Sequence, residues 1–418
     1  MLVLRKWDYK DWLALILGLV MVVRIRVVGT FLLSELILLA MFPFTGHVPR
    51  KSGLVKKLHL FSILWLIGTV ISNIENEIDI IDFVKGVFFL VVMILIIRPL
   101  YWLLVDKPER YILIIFGMGL TSILSPLFAQ NEEVAQTWKM EIFIFYYIFA
   151  FFSGLASVLF FKGRRVLSLL IIEAASIIGL FYGSRNLFLT TTVSCVLLYI
   201  IINNKSDITK QVLLFRHRLI RLSMTMFLAL LLIDFTYEYM AKSRILGDAA
   251  YSKYMNQIDA GGNVLKGGRI HFFMGIELIK MKPIVGWGSY AKDDWGFSKQ
   301  YFEDNDIPGA GDTGNDTLPA HSAIEGAWMQ NGILGGLFWF FILFIVFKIF
   351  RSGCFLYENR LLGILVFGLF SQLWDWFFSP LGNRITFISY ILVLIIIYNN
   401  YQRNLYPYSK NKIKQLYL

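Results

Sequence analysis

Residues 83–104 read FVKGVFFLVVMILIIRPLYWLL. At 1.5 Å per residue this run covers the ~30 Å hydrocarbon core of a bilayer, which needs about 20 mostly apolar residues. Its two flanks differ in sign. Glu75, Glu77, Asp79 and Asp82 crowd the start, whereas Arg98 lies near the end and Lys107 and Arg110 follow it. Basic loops stay in the cytoplasm, so this one segment predicts both a membrane span and its direction.

The pattern repeats along the chain. Twelve candidate spans begin near Trp12, Val27, Leu58, Phe83, Tyr111, Met140, Val166, Leu187, Leu219, Asn331, Leu361 and Ile385. Basic clusters separate alternate pairs: Arg50, Lys51, Lys56 and Lys57; Lys162, Arg164 and Arg165; Lys205, Lys210, Arg216, Arg218 and Arg221; Arg351 and Arg360. Arg403, Lys410, Lys412 and Lys414 follow the last span. The intervening loops are acidic, as at Glu132 and Glu133, or nearly uncharged. The expectation is an all-α polytopic membrane protein of about 12 transmembrane helices, with both termini cytoplasmic. The first two spans are interrupted by Arg24 and Arg26, and the first is short.

Composition agrees. The chain has 418 residues, 57% hydrophobic and 17% charged, and its mean hydropathy is +0.63. A soluble domain has too little interior to hide that apolar surface. The net charge of +11 is accounted for by cytoplasmic loops, so a nucleic-acid partner is not expected. Cys195 and Cys354 lie in or beside apolar spans without CxxC spacing, so neither a disulfide framework nor a zinc site is expected. The basic start lacks a small-residue cleavage site, so the first apolar run is read as a retained helix.

One polar stretch breaks the apolar series. Residues 241–320 form a large external loop between the ninth and tenth spans of a single membrane domain, 1–418. Three positions converge on the external face: Arg185, in the turn Tyr182-Gly183-Ser184-Arg185-Asn186; Arg269, in Gly267-Gly268-Arg269-Ile270-His271; and His321, where hydrophobic sequence resumes. Each has a plainer reading. A lone arginine at a helix end snorkels to lipid phosphates; Arg269 would decorate an amphipathic helix on the membrane; a lone histidine makes a structural hydrogen bond. Together, two arginines and a histidine suit transfer from a diphosphate leaving group. Guanidinium binds phosphate oxygens bidentately and stabilises charge on a departing diphosphate. A neutral imidazole accepts the proton of an attacking hydroxyl. Glu325, one helical turn after His321, would orient the imidazole or remain a surface carboxylate.

The order of Gly183-Ser184-Arg185, Arg269, Pro283-Ile284-Val285-Gly286-Trp287-Gly288, His321-Ser322, Glu325 and Gly332-Ile333-Leu334-Gly335 resembles the O-antigen ligase and O-antigen (polysaccharide) polymerase superfamily. By motif the resemblance covers about residues 177–350, and by topology the remainder. It implies glycan transfer from undecaprenyl diphosphate on the outer face of the bacterial inner membrane, with no cofactor, nucleotide-sugar donor or catalytic metal. It implies that Arg185 and Arg269 contact the lipid diphosphate and that His321 activates the acceptor hydroxyl. Many ligases carry Asn directly after this histidine, where this chain has Ser322. The reading therefore leans to a polymerase whose acceptor is another lipid-linked repeat, with an O-antigen ligase acting on lipid A-core as the alternative. A chain-length regulator is the partner such a polymerase would use.

Weaker candidates surround these. Lys242, Arg244 and Arg384 would add positive potential for the anionic donor, or serve as interfacial anchors. Glu173 and Asp375 lie within apolar spans, where an unpaired charge is expensive. His271 would face the site or solvent. Trp287, Tyr290, Trp295, Phe297, Tyr301 and Phe302 would stack on sugars or pack the loop. A flippase moving the same lipid-linked glycan is the rival from another class, but it predicts internal repeats and mid-depth polar sites. The sequence has no evident repeat.

Overall fold

The computed structural model describes residues 7–27, 29–46, 53–128, 164–181, 185–203, 235–236, 238–245, 247–261, 270–305, 317–354, 361–379 and 383–416. The described chain is predominantly helical. Four helices are long and apolar enough to cross a membrane: α3 (Gly53–Glu75), α4 (Ile80–Leu104), α11 (Ala323–Ser352) and the part of α13 (Arg384–Leu416) up to Arg403. Shorter or partly described helices accompany them: α5 (Arg110–Phe128), α6 (Arg165–Phe181), α7 (Arg185–Asn203) and α12 (Leu362–Phe378). The spans expected near Met140 and Leu219 lie outside the described residues.

α3 and α4 form a helical hairpin whose turn is the acidic segment expected outside. Asp79 caps α4 by accepting the Ile81 N–H at 2.8 Å. α11 lies along α3. Lipid tails are as apolar as leucine, so contact between such helices depends on close van der Waals packing. Gly68 allows it, because a Cβ there would sit 2.9 Å from the Asn331 carbonyl oxygen. Phe61 stacks on Phe341 at 4.3 Å, and Trp65 packs against Phe338.

The first two expected spans are corrected. α1 (Tyr9–Leu19) and α2 (Leu33–Met41) have 11 and 9 residues, half of the ~20 a crossing needs. Between them Arg24–Val27 (β1) pairs antiparallel with Gly29–Leu32 (β2), with Val27 opposite Gly29. The reason is the one the sequence carries: Arg24 and Arg26 divide one apolar region into two half-length pieces. α1 instead packs against α5, with Gly18 and Gly117 each in the other helix's backbone. An ionic cluster ties their ends, with the buried Arg110 bonded to the buried Asp11 and to the exposed Asp8 and Asp106 at 2.8–2.9 Å.

The stretch 241–320, expected outside, contains α8 (Asp248–Gly261), α9 (Ile270–Met281) and α10 (Phe297–Asp304) among its described residues. It has its own small core: Ile270, Met274, Leu278, Phe297, Phe302 and Leu318, closed by Met329 of α11. The apolar face of α9 is thus buried in protein against the head of α11.

Candidate active site

α11 begins with a capping box. The Ser322 hydroxyl accepts the Glu325 N–H at 3.0 Å, and Glu325 Oε2 accepts the Ser322 N–H at 3.1 Å. Such a pair satisfies backbone donors that a helix start leaves open. Glu325 Oε2 also accepts the backbone N–H of His321 at 3.3 Å. The carboxylate therefore holds the main chain of His321, which corrects the expectation that it orients the imidazole. The Ser322 hydroxyl also donates to the Trp376 carbonyl at 3.0 Å, tying the head of α11 to the end of α12.

His321 is exposed. Its ring lies 4.6 Å from that of His271, tilted by 36°. His271 is the second residue of α9, half-buried, and its Nδ1 has no partner among the described residues. Burial pushes its pKa below the ordinary value of 6.5, because a desolvated imidazole disfavours its charged form. α9 reaches the head of α11 through Gly275, where a Cβ would fall 1.4 Å from Glu325 Oε1. Only a glycine lets the carboxylate lie against that helix.

Behind the capping box, α11 is broken. Asn331 (φ −123°, ψ 17°) and Gly332 (φ 61°, ψ −158°) leave the helical region. Segment 284–288 fills the gap like a strand: Trp287 N–H donates to Met329 O, Gly288 N–H to Gln330 O, and Ile333 N–H to Ile284 O, at 2.9–3.1 Å. The conformation demands glycine at 286 and 288, with φ of 82° and 88°. Two motif pieces, Pro283–Gly288 and Gly332–Gly335, thus form one joint. The C-terminal end of α3 and the residue after it clamp the joint. Ser72 Oγ donates to Gln330 O at 2.7 Å, Asn73 Oδ1 accepts Ser289 N–H at 2.7 Å, and Asn76 Nδ2 donates to Gly286 O at 3.0 Å. Sequence reasoning missed these three residues, two in the last turn of α3 and one just beyond it. Their spacing, three amide or hydroxyl side chains within five residues where a span ends, was the available signal.

The remaining candidates divide. Arg269 and the side chain of Arg185 lie outside the described residues; the backbone of Arg185 opens α7, which packs against α12. Arg384 is corrected: it is buried and its guanidinium meets Glu35 at 2.6 and 2.8 Å, so it is engaged in a structural pair rather than offered to an anion. Arg244 is exposed, 3.4 Å from Asp248, with its guanidinium over Tyr251. Lys242 is exposed beside it. Neither belongs to the His271–His321 cluster; they sit by the small core of Ala241 and Tyr254. Glu173 accepts the Thr192 hydroxyl at 2.9 Å. Of the loop aromatics, Phe297 and Phe302 are core residues, while Trp287 and Trp295 pack together at 4.5 Å and Tyr290 is exposed.

A cavity of about 210 Å³ lies between α3, α4 and the head of α11, with Ala320 and Ser322, the two neighbours of His321, in its wall. Comparison of the chain with protein-family models, with curated proteins and with solved structures finds no match.

Proposed function

We propose that the protein is a polytopic membrane glycosyltransferase of the O-antigen polymerase and ligase type. It acts on an undecaprenyl-diphosphate-linked glycan at the outer face of the bacterial inner membrane and polymerises surface-polysaccharide repeat units. The observation that carries this reading is the placement of His321. It is exposed at the head of an apolar helix, on a backbone held by Glu325 and Ser322, beside a second imidazole.

In the proposed reaction an acceptor hydroxyl attacks the anomeric carbon of the donor sugar. Its proton passes to the imidazole of His321. The bond from that carbon to the diphosphate oxygen breaks, and the electron pair leaves with the lipid diphosphate. One displacement without a covalent enzyme nucleophile inverts the anomeric centre. Arg185 and Arg269 take the role of neutralising the leaving group. His271, kept neutral by burial, lets His321 take up a proton without a second cation beside it.

The break in α11 is the observation that favours a transporter, since such breaks expose carbonyls to ions at mid-depth. Here those carbonyls, Met329 O and Gln330 O, accept from Trp287, Gly288 and Ser72. The break is used as a joint, which weighs against the transporter.

The test is transfer by purified protein in liposomes with a lipid-linked repeat unit, with and without lipid A-core. A product ladder without core that disappears in His321→Ala supports the polymerase. Product only with core makes the protein a ligase. Wild-type protein that forms no product but moves the lipid-linked unit across the bilayer overturns the reading.

A further inference from the structure

Ile333, Leu337, Phe340, Phe344 and Phe347 are all exposed and recur at intervals of four and three along α11, so they form one apolar stripe on the helix. α11 is long and apolar enough to cross a membrane, and this stripe is the face it shows to lipid. From Phe347 to Ile333 the stripe rises ~21 Å at 1.5 Å per residue, about 9 Å short of the ~30 Å hydrocarbon core. The helix breaks at Asn331 and Gly332, so it does not continue the stripe itself. The turn after α9 does. Ile284 is 70% exposed and Met281 58%, with Pro283 exposed between them. Two contacts make this turn continuous with the stripe. The Ile284 carbonyl accepts the Ile333 N–H at 3.1 Å. The Trp328 indole N–H donates to the Pro283 carbonyl at 2.8 Å, and its ring packs T-shaped with Phe340, centroids 5.6 Å apart.

The carbonyls of the turn favour lipid over water as its surroundings. Hydrocarbon offers no hydrogen bonds, so non-helical backbone at that depth needs its partners from protein. The Lys282 carbonyl accepts the Gly286 N–H at 3.1 Å, and those of Pro283 and Ile284 are taken by Trp328 and Ile333. Pro283 brings no N–H of its own. Three successive carbonyls of an exposed apolar turn are thus engaged, which a turn standing in water would not require. The flanks suit a headgroup layer. Lys280 is exposed, and the Lys282 ammonium lies 4.3 Å over the Trp287 ring; lysine and tryptophan both favour that layer. We propose that the turn 281–284 is inserted in the bilayer, where acyl chains cover Met281, Pro283 and Ile284 as they cover the stripe of α11. The stretch 241–320 is then anchored in lipid at this point. The anchor holds α9, with His271 in its first turn, at a set depth. The proposal does not depend on the reaction assigned to His321.

The test uses the full chain in phospholipid nanodiscs. Nitroxide labels are placed at Ile284→Cys, Phe340→Cys and Lys299→Cys in a chain carrying Cys195→Ser and Cys354→Ala. Power saturation then compares collision with oxygen, which partitions into hydrocarbon, and with a water-soluble nickel chelate. The label at 284 is expected to match that at 340, reached by oxygen and not by nickel. The label at 299, where the native side chain is exposed on the polar helix α10, is expected to show the reverse. A label at 284 that nickel reaches as readily as it reaches 299 overturns the proposal. So does one shielded from both reagents, which would put protein on the turn, a second copy of the chain included. Melting curves show whether the cysteine variants fold. A second measurement needs no substitution. In hydroxyl-radical footprinting of the wild-type chain, Trp295 is expected to be oxidised and Met281 to escape, although more of Met281 is exposed. Met281 oxidised as readily as Trp295 overturns the proposal whether or not the variants fold.

Discussion

Gly275 and Glu325 belong to different helices and are coupled more tightly than sequence spacing suggests. A methyl group at 275 would overlap Glu325 Oε1 at 1.4 Å, so the carboxylate would leave the N–H groups of His321 and Ser322. Gly275→Ala is therefore expected to lower transfer by roughly a hundredfold, the scale of a ~1 Å misplacement of a catalytic group. In a Glu325→Ala background the same change should cost little, because the clash is gone. Equal losses in both backgrounds, measured as kcat with the liposome assay, would rule out the coupling. His271 gives a pH signature. Its folded pKa lies below the unfolded value of 6.5, so the unfolded chain binds more protons between the two values. Stability should be full above about pH 6.5 and fall as pH drops through that window. Melting temperature against pH is expected to fall more steeply on the acid side for wild type than for His271→Gln; parallel curves would exclude the effect.

At the scale of elements, the broken α11 is the decisive feature. Gly332 has φ 61° and ψ −158°, and a Cβ there would lie 2.0 Å from the Ile284 carbonyl oxygen. Backbone atoms do not swing aside as a side-chain end does. Gly332→Ala is expected to destabilise the protein by about 2–4 kcal/mol, combining conformational strain with the overlap. Denaturation in mixed micelles would show it, and a variant as stable as wild type would mean that the helix runs through unbroken. The same joint explains why Pro283–Gly288 and Gly332–Gly335 read as separate motifs along the chain. Their glycines serve one pairing, formed by segments that only the folded chain brings together. The clamp of Ser72, Asn73 and Asn76 was hidden for a related reason. Hydropathy marks where a span ends but not which neighbour its polar end will meet.

For the whole molecule, the pair Glu35–Arg384 links the short α2 to the long α13 across 349 positions of sequence. Glu35 is fully buried and Arg384 is 8% exposed. Removing one partner strands a buried charge, so Glu35→Gln is expected to cost about 3–5 kcal/mol, while Glu35→Met with Arg384→Met should recover most of it. Transfer per folded molecule should be unchanged in the double variant, because Arg384 is occupied by Glu35. Loss of transfer at full stability would return Arg384 to the donor site.

What the sequence determined alone was the solvent and the periodic architecture. Long apolar runs force helices in lipid, because every backbone group must be satisfied within its own segment. The described long spans, α3, α4, α11 and α13, begin within a few residues of their expected starts, apart from α11, whose first turns precede its break at Asn331. The candidate His321 was legible as the residue where apolar sequence resumes. Tertiary structure alone decided the rest: that α1 and α2 stop at half-length around a hairpin, that Arg384 is consumed by Glu35, that Glu325 grips the backbone of His321, and that His271 stacks beside it. Each depends on which distant segment supplies a partner. Hydrophobicity and charge act locally along a chain, whereas hydrogen bonds, ring contacts and the space left by a missing Cβ depend on neighbours met only after folding.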